Sequence, residues 1–470
     1  MHPFCVVIKY WGAVLARFTD DMPGHDRYHG ASYNKRMKVA LVGYGIEGRS
    51  ALPYWQNQGA EVTVCDQNEQ ADVPGGVQAQ LGPDYLKDLD RFDVIVRTVG
   101  MHPRIILEKN PGVADKITTN LNEFLRVCPT KNIIGVTGTK GKGTTSTLIV
   151  KMLEASGREV FLGGNFGIPA FSFLPQLTQD SWVVLELSSF MLYDIKYSPS
   201  IAVCLMVHPE HLDWHDDSED YFTAKANMFA HQAPTGVAIY YADNPTSHKI
   251  ASASPGSKIP YYAEPGAYIK NGNIMIDETM LCKTNELKLL GKHNWQNVCA
   301  AATAAWQVAQ TPDAIRQVLT TFTGLPHRIE LVREVDGVTF YNDSFSSDPY
   351  ASQAAIEAVP GKKLLVMGGW DKRMIPLGTL ARTVKQHEDE LRTVLLIGES
   401  AERLGTALKK VGFTNLHLSP AKTMQDIVTE VVAHAKKGDT VVFSPGFPSF
   451  DMFKNFEARG QEFVQAVHDL

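Results

Sequence analysis

Lys142 stands in the stretch "GVTGTKGKGTT" (Gly135 to Thr145), after an apolar run ending at Val136 and before a run of helical character opening at Thr144. A strand–glycine turn–helix order suits the phosphates of a nucleotide. Backbone N–H groups of Gly138, Thr139, Lys140, Gly141 and Gly143 can point at the anion, and the Lys142 ammonium can reach its β and γ groups. The usual loop places a Ser or Thr directly after that lysine, with its hydroxyl on Mg²⁺. Gly143 intervenes here, so Thr144 or Thr145 becomes the metal-facing hydroxyl. A glycine turn that binds nothing is the bland alternative, and it leaves Lys140 and Lys142 crowded on one turn with no anion between them.

Glu186 ends the apolar run of "SWVVLELSSF", where an ionised carboxylate is costly unless it is paired or bound to a cation. Beside a phosphate loop it is a natural Mg²⁺ ligand. The cluster His208, Glu210, His211, Asp213 and His215 matches no closed zinc spacing, and a solvated loop accounts for His208 and His215. Lys225 shares a helical face with Tyr221, which an ordinary amphipathic helix explains as well. Asn294 and Asn297 present two amides on one helical face, suited to an adenine edge or to capping. Arg328 follows the central segment, where it can reach a γ-phosphate, and Asp343 ends a strand-like run as a ribose-binding carboxylate would. Gly43, Gly45 and Gly48 with Asp66 have the layout of a dinucleotide turn. A UDP group satisfies that layout equally, and a plain tight turn also explains it. Lys372, Ser449 and Phe456 follow strand-like runs near the C-terminus, at the strand ends where open α/β sheets bind ligands. A Lys and a Ser there suit a small carboxylate; simple surface exposure is the alternative.

These residues are spaced along a 470-residue chain that alternates β-branched runs with helical stretches from Met37 onward. The alternation predicts an α/β protein with mainly parallel sheets, and the length favours about three domains. Boundaries are expected at 37–130, 131–325 and 326–470, with a helical tail to the central segment from His293 to about Thr323. Residues 1–36 read as an extension of uncertain status, a leader or a mis-assigned start, because Met37 opens a strand directly; their apolar stretch is broken by Lys9 and Arg17 and makes a poor signal peptide. A net charge of −6 argues against a nucleic-acid or anionic-membrane partner, and no apolar run reaches the length of about 20 residues that a membrane span needs. The six cysteines are scattered, as reduced thiols of a cytoplasmic protein would be.

In this order, "TGTKGKGTT", "GGNFGIP", "LELSSF", "EHLDWH", "YFTAK", "GKHNWQN" and "GLPHRIE" resemble the Mur ligase family over Met37 to Leu470. The resemblance implies a Rossmann-like N-terminal domain for a UDP-linked substrate, a central P-loop ATPase and a Rossmann-like C-terminal domain for an incoming amino acid. It implies ATP and two Mg²⁺ ions, with Lys142, Glu186, His211, Lys225 and Arg328 in catalysis. Thr144, Glu186 and His211 would serve the metal, and Lys225 would be carbamylated beside the second ion. Asn294, Asn297, Arg328 and Asp343 would line the nucleotide, and Asn165 and Ser188, with Gly43, Gly45, Gly48 and Asp66, the larger substrate. "SPGFPSFDMFKNFEARG" is similar to the signature of the D-glutamate-adding members, which puts Lys372, Ser449 and Phe456 on the amino acid. The implied substrates are UDP-N-acetylmuramoyl-L-alanine and glutamate, in a monomeric enzyme of peptidoglycan precursor synthesis.

Two departures stand out. The family's "NDSKATN" reads "NDSFSSD" here, with Phe345 in place of a lysine, and its "SPG" reads Thr98-Val99-Gly100. Gly143 is similar to the "GKGS" loop of folylpolyglutamate synthases, which also add glutamate and supply the nearest alternative. A nicotinamide oxidoreductase would leave the second phosphate loop idle, and a regulatory NTPase would leave Lys225 and the third segment unexplained. D- and L-glutamate remain open at this level.

Overall fold

The computed structural model describes residues 36–165, 168–371 and 376–470. Residues 1–35 of the N-terminal extension, and Lys372, lie outside them. Three larger sheets account for the α/β alternation. The first comprises β1 (Lys38–Val42), β2 (Glu61–Asp66), β3 (Gln78–Leu81), β4 (Val94–Arg97) and β5 (Ile117–Thr119), all parallel, in the order β3-β2-β1-β4-β5. The second comprises β6 (Ile133–Thr137), β7 (Val160–Gly164), β8 (Trp182–Glu186), β9 (Ile201–Cys204), β10 (Val237–Tyr241) and β11 (Ser257–Tyr261), again parallel, ordered β11-β10-β9-β6-β8-β7. An antiparallel three-stranded sheet follows, β12 (Tyr268–Lys270), β13 (Asn273–Ile276) and β14 (Thr279–Lys283). The last comprises β15 (Glu330–Val335), β16 (Val338–Asn342), β17 (Lys363–Gly368), β18 (Leu391–Ile397), β19 (Leu416–Leu418) and β20 (Thr440–Phe443), ordered β15-β16-β20-β17-β18-β19. In it only the edge pair β15–β16 is antiparallel.

The central parallel strands read as nearly unbroken apolar runs because helices cover both faces. In the last sheet Leu365 and Met367 of β17 enter one core cluster with Val394 and Leu396. Their neighbours Leu364 and Val366 enter the opposite cluster with Leu395 and Ile397, the period of two that a pleated strand imposes. In the second sheet the helix Lys142–Ala155 and the helix His293–Trp306 share one core. Ala300, Ala301, Ala302, Ala304 and Ala305 are all buried there, and side chains that small let two helices approach closely.

The described residues form two compact units. One takes the described chain up to Lys131 together with 168–180 and Asp194–Tyr197; the other takes the rest, including the second and last sheets. The expected helical tail from His293 is two helices, His293–Trp306 and Pro312–Thr321. Pro312 lacks the N–H an uninterrupted helix would need, and it sits at the start of the second one, where none is required. Five cysteines (65, 128, 204, 282 and 299) are free and buried. Among the described residues no helix is long and apolar enough to cross a membrane.

Candidate active site

The topology of the second sheet gathers the chemistry at one edge. β6 lies between β8 and β9, so the loop after β6, Glu186 at the end of β8 and the chain leaving β9 all emerge at neighbouring carboxyl ends. The loop carries Gly138 at φ +151° and Gly141 at φ +88°. A Cβ on Gly141 would lie 2.2 Å from Asn297 Oδ1, so glycine is required both by the left-handed backbone and by the amide above it. Thr139 anchors the loop: its N–H donates to Met206 O at 2.9 Å and its hydroxyl to His208 O at 2.9 Å, and it shares a 3.1 Å hydrogen bond with the Tyr221 hydroxyl.

Two lysines converge on this loop. Lys142 Nζ donates to Gly138 O at 3.1 Å and Thr139 O at 3.0 Å; Lys225 Nζ donates to Gly138 O at 3.1 Å and Thr137 Oγ1 at 3.4 Å. Lys225 is buried, lies 4.5 Å over the Tyr221 ring, and forms no ion pair among the described residues. Burial lowers the pKa of both amines; for Lys225 burial, then the charge of Lys142, brings it down to about 7. A neutral amine is therefore accessible near neutrality, unlike that of an ordinary surface lysine. Lys140 points away, in an exposed 2.8 Å ion pair with Glu210.

The oxygen groups nearby fit a hard divalent cation. Thr145 is fully buried in the first turn of the helix Lys142–Ala155, and among the described residues its hydroxyl finds no hydrogen-bond partner. Thr144 is buried beside it. Glu186 is buried and accepts from Asn165 Nδ2 at 2.8 Å. Hydroxyl and carboxylate oxygens suit Mg²⁺, which keeps several waters and needs few protein ligands. His211 stands at φ +59° with its ring 4.8 Å from that of Phe190, and burial lowers its pKa. Among the described residues no three His, Cys, Asp or Glu side chains form a metal-holding group.

His208 is exposed, but His215 is not the solvated residue the sequence suggests. It is 2% exposed, with Nδ1 2.8 Å from Asp220 Oδ2 and Nε2 3.0 Å from Ser189 Oγ. The spacing mimics an Asp–His–Ser nucleophile relay, yet Ser189 is 1% exposed, so its oxygen meets no substrate. The chain pins the start of the helix Ser189–Leu192 to the start of the helix Ser218–Ala230, which carries Tyr221 and Lys225. Ser188 caps the former, accepting from Met191 N at 3.4 Å. Aromatic neighbours at Phe190, Trp214 and Tyr221 were the available sequence signal for a buried His215.

Asn297 Nδ2 donates to Asn294 Oδ1 at 2.8 Å, and Asn294 Nδ2 to Leu290 O at 2.6 Å, so the pair is linked above the loop. Arg328 lies between two residues with left-handed backbone, His327 (φ +61°) and Ile329 (φ +46°). Asp343 is buried: Oδ1 accepts from Ile329 N at 3.1 Å, and Oδ2 from Ser346 Oγ at 2.5 Å and Ser444 Oγ at 2.6 Å. Its carboxylate thus holds the backbone beside Arg328. Ser449 is buried, and its carbonyl accepts from Phe453 N at 2.8 Å; the Phe456 ring lies 5.1 Å from that of Phe345. Arg459, which the sequence reading passed over, is 1% exposed. It donates to Ser344 Oγ, Ser344 O and Phe447 O at 3.0, 2.8 and 2.9 Å, tying the loop after β16 to the loop after β20.

In the first sheet, Gly43 (φ +92°) leaves β1 with no room for a Cβ, which would meet Thr98 Cγ2 at 2.5 Å. Gly48 packs on Gly43 O, whereas Gly45 faces open space at the start of the helix Ile46–Asn57. Asp66 accepts from Tyr44 N at 2.6 Å and Asn68 N at 2.8 Å, so it braces the turn itself.

Two family models match the chain: the Mur ligase middle domain over residues 136–305 and the Mur ligase glutamate ligase domain over residues 327–447. UDP-N-acetylmuramoylalanine–D-glutamate ligases of Clostridium kluyveri and Acetivibrio thermocellus are each 35% identical, with 93% of this chain and 97% of the relative covered. The fold is similar to that of MurF from Acinetobacter baumannii (TM-score 0.61, 16% identity, 91% of this chain and 90% of that one). It is also similar to that of the MurF ligase from Thermotoga maritima in complex with ADP (TM-score 0.57, 17% identity, 93% and 95%). The chain belongs to the Mur ligase family, whose members are ATP-dependent ligases.

Proposed function

We propose that this enzyme joins D-glutamate to UDP-N-acetylmuramoyl-L-alanine at the expense of ATP, in the cytoplasmic synthesis of peptidoglycan precursors. The observation that carries the reading is the likeness along almost the whole chain to relatives that bear that name, with the glutamate ligase domain model matched at 327–447. In the proposed reaction an oxygen of the alanyl carboxylate attacks the γ-phosphorus and ADP leaves, giving an acyl phosphate. The amine of glutamate then attacks the acyl carbon and loses a proton. The tetrahedral intermediate expels phosphate and leaves the amide.

Lys142 and the loop N–H groups would bind the β- and γ-phosphates, while Arg328 would take charge from the other side. Mg²⁺, held by Thr144 or Thr145, Glu186 and His211, would neutralise charge on the transferring group. Lys225 is proposed to carry a carbamate: its neutral amine adds to CO₂ with loss of a proton, and the product turns a buried cation into an anion beside the metal. The pKa of about 7 supports that reading because only the unprotonated amine reacts. Gly43, Gly45 and Gly48 with Asp66 would receive the UDP group, and Ser449, Phe456 and Lys372 the glutamate.

The test is phosphate release from ATP with UDP-N-acetylmuramoyl-L-alanine and either D-glutamate, L-glutamate, meso-diaminopimelate or no amino acid. Release that depends on D-glutamate, with the ligated product seen by mass, is expected. Release with L-glutamate alone overturns the stereochemistry, and release only with folate substrates overturns the assignment. Lys142→Ala is expected to abolish release while circular dichroism stays that of the wild type.

A further inference from the structure

Arg328 has an unusual partner for a functional cation. Its guanidinium carbon lies 4.3 Å from the centroid of the Phe345 ring. Among the described residues its side chain makes no hydrogen bond or ion pair, so its N–H donors remain available. Asp343 and Glu186 attract it from further away. Phe345 is itself fixed on two sides: its N–H donates to His327 O at 2.9 Å, and its ring meets Phe456 edge-on, at 5.1 Å and 84°. The backbone around it is locked by Arg459 on Ser344 and by Asp343 on Ile329.

An acidic partner would hold Arg328 as firmly, but it would occupy the donor edges and cancel the charge. An aromatic face holds the guanidinium through its π-cloud and leaves those edges open, the geometry a bidentate phosphate contact requires. A lysine at position 345 would instead place two cations side by side.

We infer that Phe345 is a positioning residue: its ring is the shelf that holds Arg328 flat with its donor edges free for a nucleotide phosphate. The inference rests on the nucleotide reading of this site and adds the residue that presents its arginine. Because the same ring abuts Phe456, the shelf also links the nucleotide cation to a residue assigned to the amino acid.

The test is binding of AMP-PNP, an ATP analogue that keeps an uncleaved γ-phosphate, with MgCl₂ to the full chain, by calorimetry, for wild type, Phe345→Leu, Phe345→Tyr, Arg328→Met and the Phe345→Leu/Arg328→Met double variant, each checked by thermal unfolding. Leucine removes the face and is expected to weaken AMP-PNP about 3- to 30-fold, the range of a partly desolvated cation–π contact. Tyrosine keeps the face and is expected to stay within about twofold of wild type. In the Arg328→Met background the leucine change should cost nothing further, a pattern that general loosening would not produce. Wild-type affinity in Phe345→Leu, a loss with tyrosine equal to that with leucine, or an undiminished cost without Arg328 overturns the inference. No glutamate or muramoyl substrate is present, so a failure to ligate D-glutamate would leave the result standing. Wild type that does not bind AMP-PNP overturns the nucleotide reading and the inference together.

Discussion

At the scale of single residues, Asp343 shows what burial costs. Removal from water pushes its carboxyl up to about 6, against hydrogen bonds from Ser346, Ser444 and the Ile329 amide that favour the ionised form. A carboxyl raised above its unfolded value binds its proton more tightly in the fold. That contribution to stability is complete below about pH 4 and is lost as pH rises through about 6. The displacement corresponds to about 3 kcal/mol. Urea midpoints for wild type and Asp343→Asn, compared between pH 4 and pH 7.5, should therefore diverge, the wild type losing stability relative to the variant as pH rises. Parallel curves would mean that the hydrogen bonds compensate the burial in full. The positions of Lys142 and Glu186 were legible in the sequence as offsets from strand-like runs, and that of Arg328 as the arginine following the central segment. The role of Asp343 as a brace was not, because its partners Ser444 and Ile329 are joined to it only by the fold.

Among elements, the loop between β6 and its helix depends on one glycine more than on its lysine-rich appearance. Gly141→Ala would combine a left-handed backbone at φ +88° with a Cβ 2.2 Å from Asn297 Oδ1. It is expected to cost about 1–3 kcal/mol in stability and to abolish ATP-dependent phosphate release. Gly141→Ala in an Asn297→Ala background relieves the clash and not the backbone, so part of the stability and none of the activity should return; full activity there would show that the backbone tolerates alanine. Parallel strands such as β1, β6, β8, β17 and β18 could be read from β-branched runs; the short β3 ("QAQL") and β19 ("LHL"), which hold no β-branched residue, could not. The antiparallel strands β12–β14 could not, because "YIK", "NIMI" and "TMLCK" are short and carry no alternation that sets them apart from a loop. The break before Pro312 was legible in principle, since a proline in a helical stretch marks a start or a kink.

For the molecule as a whole, the sharpest departure from a linear reading is the unit built on the first sheet. Arg97 ends β4 with its side chain fully buried, donating to Asp194 Oδ1 at 2.6 Å and Oδ2 at 2.9 Å and to the carbonyls of Thr98, Val99 and Met101. Asn122 clamps the same segment, donating to Asp194 O at 2.9 Å and accepting from Lys196 N at 2.7 Å. Asp194→Ala leaves Arg97 buried without its counter-charge. It is expected to destabilise this unit by about 3 kcal/mol, the low end for a broken buried pair because Asp194 is 25% exposed. Urea denaturation followed at Trp55, buried in the same unit, would read it. An unchanged midpoint would mean that the remaining contacts of Arg97 suffice.

The arginine and its carboxylate are 97 residues apart in the chain. On a ribosome adding about 5–20 residues per second, Arg97 therefore waits roughly 5–20 s for the aspartate that neutralises it. The N-terminal unit is the first to be begun, yet its last segment, Asp194–Tyr197, is made only after the phosphate loop of the other unit. A gene fragment ending at Lys131 would encode the whole first sheet and still lack the carboxylate its buried arginine requires.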